Sequence, residues 1–200
     1  PVWDLSLVLA ALRSPPFEPL AEASLEYVSK KTAFLLAMAS AKQVGELHAL
    51  YVHESCCRWN PAGSGVTLWP DAAFLPKVAS TASHTVPLQL ARLDVGGPDE
   101  PLCPVRALEA YVRLTASLLQ SDNLFVCYSG PCEGQAPSKQ RLAGWIVDVV
   151  EQAYVLQVHQ PPAGVRCHST RSISVSWPLW GGPSGGYMCS SLLVIPEYLC

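Results

Sequence analysis

Two short segments carry residue types that could do chemistry. Ala39–Leu50 reads ASAKQVGELHAL, and Arg166–Ser176 reads RCHSTRSISVS. In the second, His168 and Arg171 stand three apart, so on a helix both side chains project from one face and could donate hydrogen bonds to one acceptor. Alone, the tetrapeptide is a weak signal, since an H-x-x-R on a surface arises by chance. Eight cysteines, at 56, 57, 103, 127, 132, 167, 189 and 200, raise disulfide and zinc chemistry. Zinc wants paired short spacings such as C-x-x-C. Cys56 and Cys57 are adjacent, and Cys127 and Cys132 have no matching second pair. The cysteines therefore read as reduced, mostly buried thiols. His48 and His53 flank Tyr51 and read as helix-end residues, not ligands. No G-x-S-x-G, P-loop or H-E-x-x-H occurs, so hydrolase and nucleotide-binding classes have no foothold.

These segments need elements to hold them. Asp4–Arg13 is expected to be a helix capped by Asp4, with Leu5, Val8, Leu9 and Leu12 on one face and Ser14-Pro15-Pro16 as its stop. A longer helix is expected from about Ala21 to Ala39, with Leu25, Val28, Phe34 and Leu35 at helical spacing and Tyr27, Lys30 and Lys31 on the other side. Val44–Tyr51 reads as a short third helix. From 55 to 91 the pattern changes to short strands and turns: Trp59–Gly63 is a turn cluster, and Gly65–Trp69 and Thr85–Leu90 are strands. Pro104 opens another helix with Val105, Leu108, Tyr111, Val112, Leu118 and Leu119 as its apolar face. Leu124–Val126 is a brief strand or buried turn. Ser138–Leu156 is helical with Leu142, Trp145, Ile146, Val149 and Val150 inward, and His168–Trp177 is helical too. Trp69, Trp145 and Trp177 are assigned to the core, and Lys139 and Arg141 to solvent.

Composition bounds the reading. Of 200 residues, 50% are hydrophobic and 14% charged, which suits a folded domain with its own core and not a disordered chain. The net charge of −3 argues mildly against nucleic acid, but phosphate is bound by a local basic groove and not by an average. No apolar run reaches the roughly 18 residues that a membrane span needs, so a soluble chain is expected. The first residue is Pro1, from which the chain is expected to begin inside a longer reading frame.

Taken together, in this order and this far apart, the two boxes resemble those of the tyrosine recombinases, and their wording is closest to the recombinases of DIRS-type retrotransposons. The likeness runs from about Ala21 to Trp180. In that family the first box reads R-x-x-E-L at a helix start, the second reads H-x-x-R, and a small sheet lies between them. The resemblance implies an α+β, mainly helical fold, that of the catalytic domain of DNA breaking–rejoining enzymes with a small antiparallel sheet. It implies a tyrosine hydroxyl attacking a phosphodiester, arginines and a histidine or tryptophan donating to the nonbridging oxygens, and a hairpin lysine as general acid.

Carried over residue by residue, His168 and Arg171 match H-x-x-R and would bind the scissile phosphate. Glu46 and Leu47 match E-L, with Glu46 in a structural role. The first arginine falls on Gln43, which can donate a hydrogen bond but has neither charge nor fork. The lysine falls on Lys77, in a hairpin whose wording departs from the family's. The tail departs further: residues 181–186 read GGPSGG, which no helix would choose. Tyr187 comes too early for a nucleophile, and Tyr198, 27 residues after Arg171, stands in a context unlike the family's. A one-nucleotide frameshift near Trp180 would account for this, since the shifted frame can read GVPQADICAAPSWSSPNTF, a helix followed by a tryptophan.

The expectation is thus a catalytic domain over 1–180, incomplete, with an aberrant tail over 181–200. Its ancestral function is DNA integration or recombination by a mobile element, catalytically defective as written. A DNA-binding remnant without chemistry and a decayed product without function are the rivals. The resemblance implies duplex DNA as partner and allows a homo-oligomer on it. It implies no metal, no cofactor, no small-molecule substrate and no membrane, in a nuclear setting.

Overall fold

A computed structural model describes residues 3–71, 87–93 and 95–167. Its first helix, α1 (Leu5–Ala11), begins where the sequence predicts. The Asp4 carboxylate accepts from the backbone N–H groups of Ser6 (2.8 Å) and Leu7 (3.3 Å), donors that a helix start otherwise leaves unpaired. Helix α2 (Leu25–Ser40) starts later than the expected Ala21, because Glu22 and Ala23 first form a turn onto the Pro19 carbonyl and Ser24 then caps the helix. It ends at Ala41, in the left-handed region with φ 50°.

Helix α2 is the centre of the molecule. It packs against α4 (Pro104–Thr115) and α5 (Lys139–Leu156), and from Val28 to Met38 all but Lys30 is buried. A helix apolar nearly all round must be enclosed by others. Its polar members are satisfied locally or across the core: Ser29 donates to the Leu25 carbonyl and Thr32 to that of Ala107. Helix α5, capped by Ser138, turns Leu142, Trp145, Ile146, Val149 and Val150 inward as its periodicity predicts. Helix α4 buries Val105, Leu108 and Tyr111 but stops at Thr115, whose hydroxyl bonds back to the Tyr111 carbonyl (2.9 Å). Leu118 and Leu119 lie beyond it and are half-buried, not part of its face.

A short helix, α3 (Val44–His48), leads into a three-stranded antiparallel sheet of β1 (Cys57–Trp59), β2 (Gly65–Leu68) and β3 (Leu88–Ala91), in that spatial order. Strand β1 adds to the two strands that the sequence predicts. Trp59 reads as the head of a turn cluster, but the turn begins at Asn60, whose N–H closes onto the Gly65 carbonyl at 3.0 Å. The register pairs Cys57 with Leu68 and Leu68 with Leu88, and these, with Val66 and Leu90, form the buried face. Arg58, Thr67 and Gln89 form the opposite row. The fold is mainly helical with a small antiparallel sheet, and among the described residues no helix is long and apolar enough to cross a membrane.

Candidate functional site

The first box lies at the start of α3. Gln43 is the N-cap, with extended backbone (φ −73°, ψ 153°) and an exposed side chain. Its N–H donates to Glu46 Oε2 at 2.8 Å, so Glu46 closes the helix start from the third helical position, and Glu46 Oε1 accepts from Lys42 Nζ at 3.2 Å. Glu46 is therefore engaged in holding the helix start, and Lys42 in holding Glu46. Leu47 is fully buried and pins the short helix to the core. Beyond it, His48 Nε2 meets the Pro137 carbonyl at 2.8 Å and ties α3 to the lead into α5. Tyr51 donates to Asp71 at 3.1 Å, and that neighbouring carboxylate raises the phenol's pKa above its ordinary value. The exposed Gln43 side chain stands at this helix start, where its amide can donate a hydrogen bond but supplies no charge.

Of the other sequence-predicted site residues, Lys77, His168, Arg171 and Tyr198 lie outside the described residues, as do Tyr187, Trp177 and the tail 181–200. Gln43 is the predicted position whose surroundings are described. Val165 and Cys167, at the end of the described chain, pack half-buried against the core.

Two residues lie elsewhere than the sequence predicts. Lys31 does not face solvent: it is 0% exposed, and its ammonium donates to the Leu12 carbonyl at 2.9 Å and to the buried Glu18 carboxylate. Arg106 grips the same carboxylate with both ends of its fork, at 2.6 and 3.1 Å, and the Leu20 N–H adds a fourth bond at 3.1 Å. Burial pushes the Lys31 amine down to about 8 against the opposing pull of Glu18, while Glu18 itself is held below the usual carboxylate range by its two cations despite burial. A signal for this did exist: Val28, Lys31 and Leu35 share one face at spacings of three and four. Trp69 is the second correction. It is half-buried on the open side of the sheet, with the Arg58 guanidinium 5.1 Å above its ring. Arg141 is exposed, as its assignment to solvent predicts, and one of its guanidinium nitrogens also reaches the Cys127 thiol at 3.5 Å.

Cys56, Cys57, Cys103, Cys127 and Cys132 are free thiols, and of these Cys57, Cys103 and Cys127 are buried. Cys103 caps α4 by accepting from the Arg106 N–H (3.4 Å) and also accepts from the Leu93 N–H (3.2 Å). Burial raises the Cys57 thiol to about 11, so it stays protonated near neutrality. Among the described residues no group of three or more His, Cys, Asp and Glu side chains is placed to hold a metal ion. No protein family, curated protein or solved structure matches the chain.

Proposed function

We propose that the chain is the catalytic domain of a mobile-element tyrosine recombinase, acting on duplex DNA in the nucleus and defective in strand cleavage. The observation that carries the reading is the start of α3. Gln43 and Glu46 stand at the first and fourth positions of the R-x-x-E-L pattern, at a helix start, ahead of a small antiparallel sheet. In this reading His168 and Arg171 hold the nonbridging oxygens of the scissile phosphate, and Lys77 protonates the leaving oxygen. Gln43 stands where the family has its first arginine. Exchanging that charged fork for a neutral amide costs about 3–4 kcal/mol of transition-state stabilisation, by analogy with the loss of one oxyanion donor. Tyr198 and Tyr187 fit the nucleophile's place poorly, which adds a second defect.

The exposed, neutral Gln43 amide also favours a related reading, in which the fold binds DNA without cutting it. Such binding weakens steeply as salt rises. The test is a suicide-substrate assay on nicked duplex from the element's own termini. It compares this chain with a repaired one carrying Gln43→Arg and the shifted-frame tail extended through its tyrosine. A covalent protein–DNA band is expected from the repaired chain alone. A band from the unrepaired chain would overturn the defect, and silence from both would overturn the recombinase reading.

A further inference from the structure

We infer that an open cleft between α4 and the residue just after β3 is an anion site for a phosphate group. The cleft has a volume of about 300 Å³, and three arginines line it: Arg106 and Arg113 from α4, and Arg92 from just after β3. Arg106 and Arg113 lie two turns apart on one face of α4. Arg92 is braced over that face, its Nε donating to the Gly63 carbonyl at 2.8 Å and its Nη2 to Glu109 at 2.6 Å. These two bonds leave its Nη1 donors unengaged. Arg106 spends its fork on Glu18 and its Nε lies 3.7 Å from Glu100. Arg113 is exposed and makes no ion pair or hydrogen bond among the described residues.

The charge count favours an anion. Lys31 shares the single Glu18 carboxylate with Arg106. The four cations Lys31, Arg92, Arg106 and Arg113 thus outnumber the three carboxylates of Glu18, Glu100 and Glu109. Arg106 also stands in the first turn of α4, where the helix dipole attracts negative charge. Glu109 is 55% exposed, so an incoming anion can displace it from Arg92 at small cost. Guanidinium donors from Arg92 on one side and Arg113 on the other suit a tetrahedral oxyanion with several acceptor oxygens better than a planar carboxylate.

The site is distinct from the Gln43 box. None of residues 39–50 lines the cleft. The inference therefore stands whether or not the chain is a recombinase. The phosphate can come from a free ion or from a nucleic-acid backbone, and the experiment separates the two. The full chain and its Arg113→Gln variant are titrated with inorganic phosphate, and separately with a short DNA duplex, at constant ionic strength. Binding is followed by calorimetry, and thermal unfolding verifies that the variant folds like its parent. Saturable binding of at least one probe is expected, weakened about tenfold by Arg113→Gln. Phosphate alone binding identifies a small-ion site, and the duplex alone binding a backbone contact. No saturable binding of either probe, or an unchanged affinity in the variant, would overturn the inference. A duplex that binds without regard to Arg113 removes the cleft while leaving the recombinase reading standing.

Discussion

Removing the charge of Glu18 should be far more damaging than removing that of Lys31, although the two face each other. Glu18 is 9% exposed and accepts from Lys31, from both Nη atoms of Arg106 and from the Leu20 N–H. Glu18→Gln keeps the shape but leaves Lys31, which is wholly buried, without a counter-charge, and turns an amide NH2 toward donors. Breaking a buried pair in this way costs about 3–5 kcal/mol. That is a large fraction of the roughly 5–15 kcal/mol that holds a domain folded. Lys31→Met is a different change. Glu18 keeps its bidentate bond to Arg106, a flexible apolar chain fills the space, and the lost bond to the Leu12 carbonyl is worth about 1 kcal/mol. Its expected cost is about 0–2 kcal/mol.

Urea unfolding, followed by far-UV circular dichroism and tryptophan fluorescence, measures both variants. The pH dependence adds a check on the sign. The unfolded chain holds the Lys31 proton up to its ordinary value of 10.5, whereas the folded chain releases it near 8. Between those values the unfolded state binds more protons, so this group's contribution to stability rises with pH across the window. The wild type should gain on Lys31→Met from pH 8 to 10.5, by at most about 3 kcal/mol. Cys57, raised to about 11, acts in the opposite direction above its ordinary value of 9.0 but is common to both proteins and cancels. Should Glu18→Gln cost less than about 1 kcal/mol, or Lys31→Met cost as much as Glu18→Gln, the ion network would not be organised as described. A wild-type advantage that is flat or falling over the pH window would refute the burial of Lys31.

Other substitutions probe the framework around the candidate site. Tyr111→Phe should cost about 1–3 kcal/mol in chemical denaturation, because the buried Val126 N–H, which donates to the Tyr111 hydroxyl oxygen at 2.9 Å, would lose its acceptor. Gly134→Ala should lower the melting temperature sharply. Gly134 has φ +77°, and an added Cβ would overlap the Leu118 carbonyl oxygen, which is backbone and has little room to yield. Gln43→Arg should leave stability within about 0.5 kcal/mol of the parent, since the side chain is exposed and the helix start is closed through its backbone N–H. Glu46→Ala, by contrast, should cost about 1 kcal/mol by removing that closure. Equal losses from these two substitutions, measured by urea titration, would show that Glu46 does not secure α3.

Much of the framework is legible one element at a time. Asp4 and Ser138 announce helix starts because short polar side chains satisfy N–H groups that the helix cannot pair itself. The inward faces of α4 and α5 follow from spacings of three and four. The placement of Gln43 ahead of an E-L pair at a helix start is readable in the same local way, as is the small sheet between 57 and 91. The element ends were less legible. Pro19 begins a turn that delays α2, and Thr115 ends α4 short of Leu118, because the turns that follow compete with another helical turn on nearly equal terms.

Residue order alone tells which side chains share a face, since backbone geometry sets a period of 3.6 along a helix and of two along a strand. Spacings of three and four put Lys31 on the face of Val28 and Leu35, although its charge argues for the other side of the helix. Packing encloses the Lys31 face, because the carboxylate that stabilises it there comes from Glu18, in the loop before α2, and the fork that shares it comes from Arg106, on α4. The same holds for Trp69, whose partner Arg58 reaches it across an antiparallel register, and for Arg92, Arg106 and Arg113, which meet only when α4 packs beside β3. Charge and aromatic groups act through space over a few ångströms, and the chain positions that come that close are set by packing and not by neighbourhood along the chain.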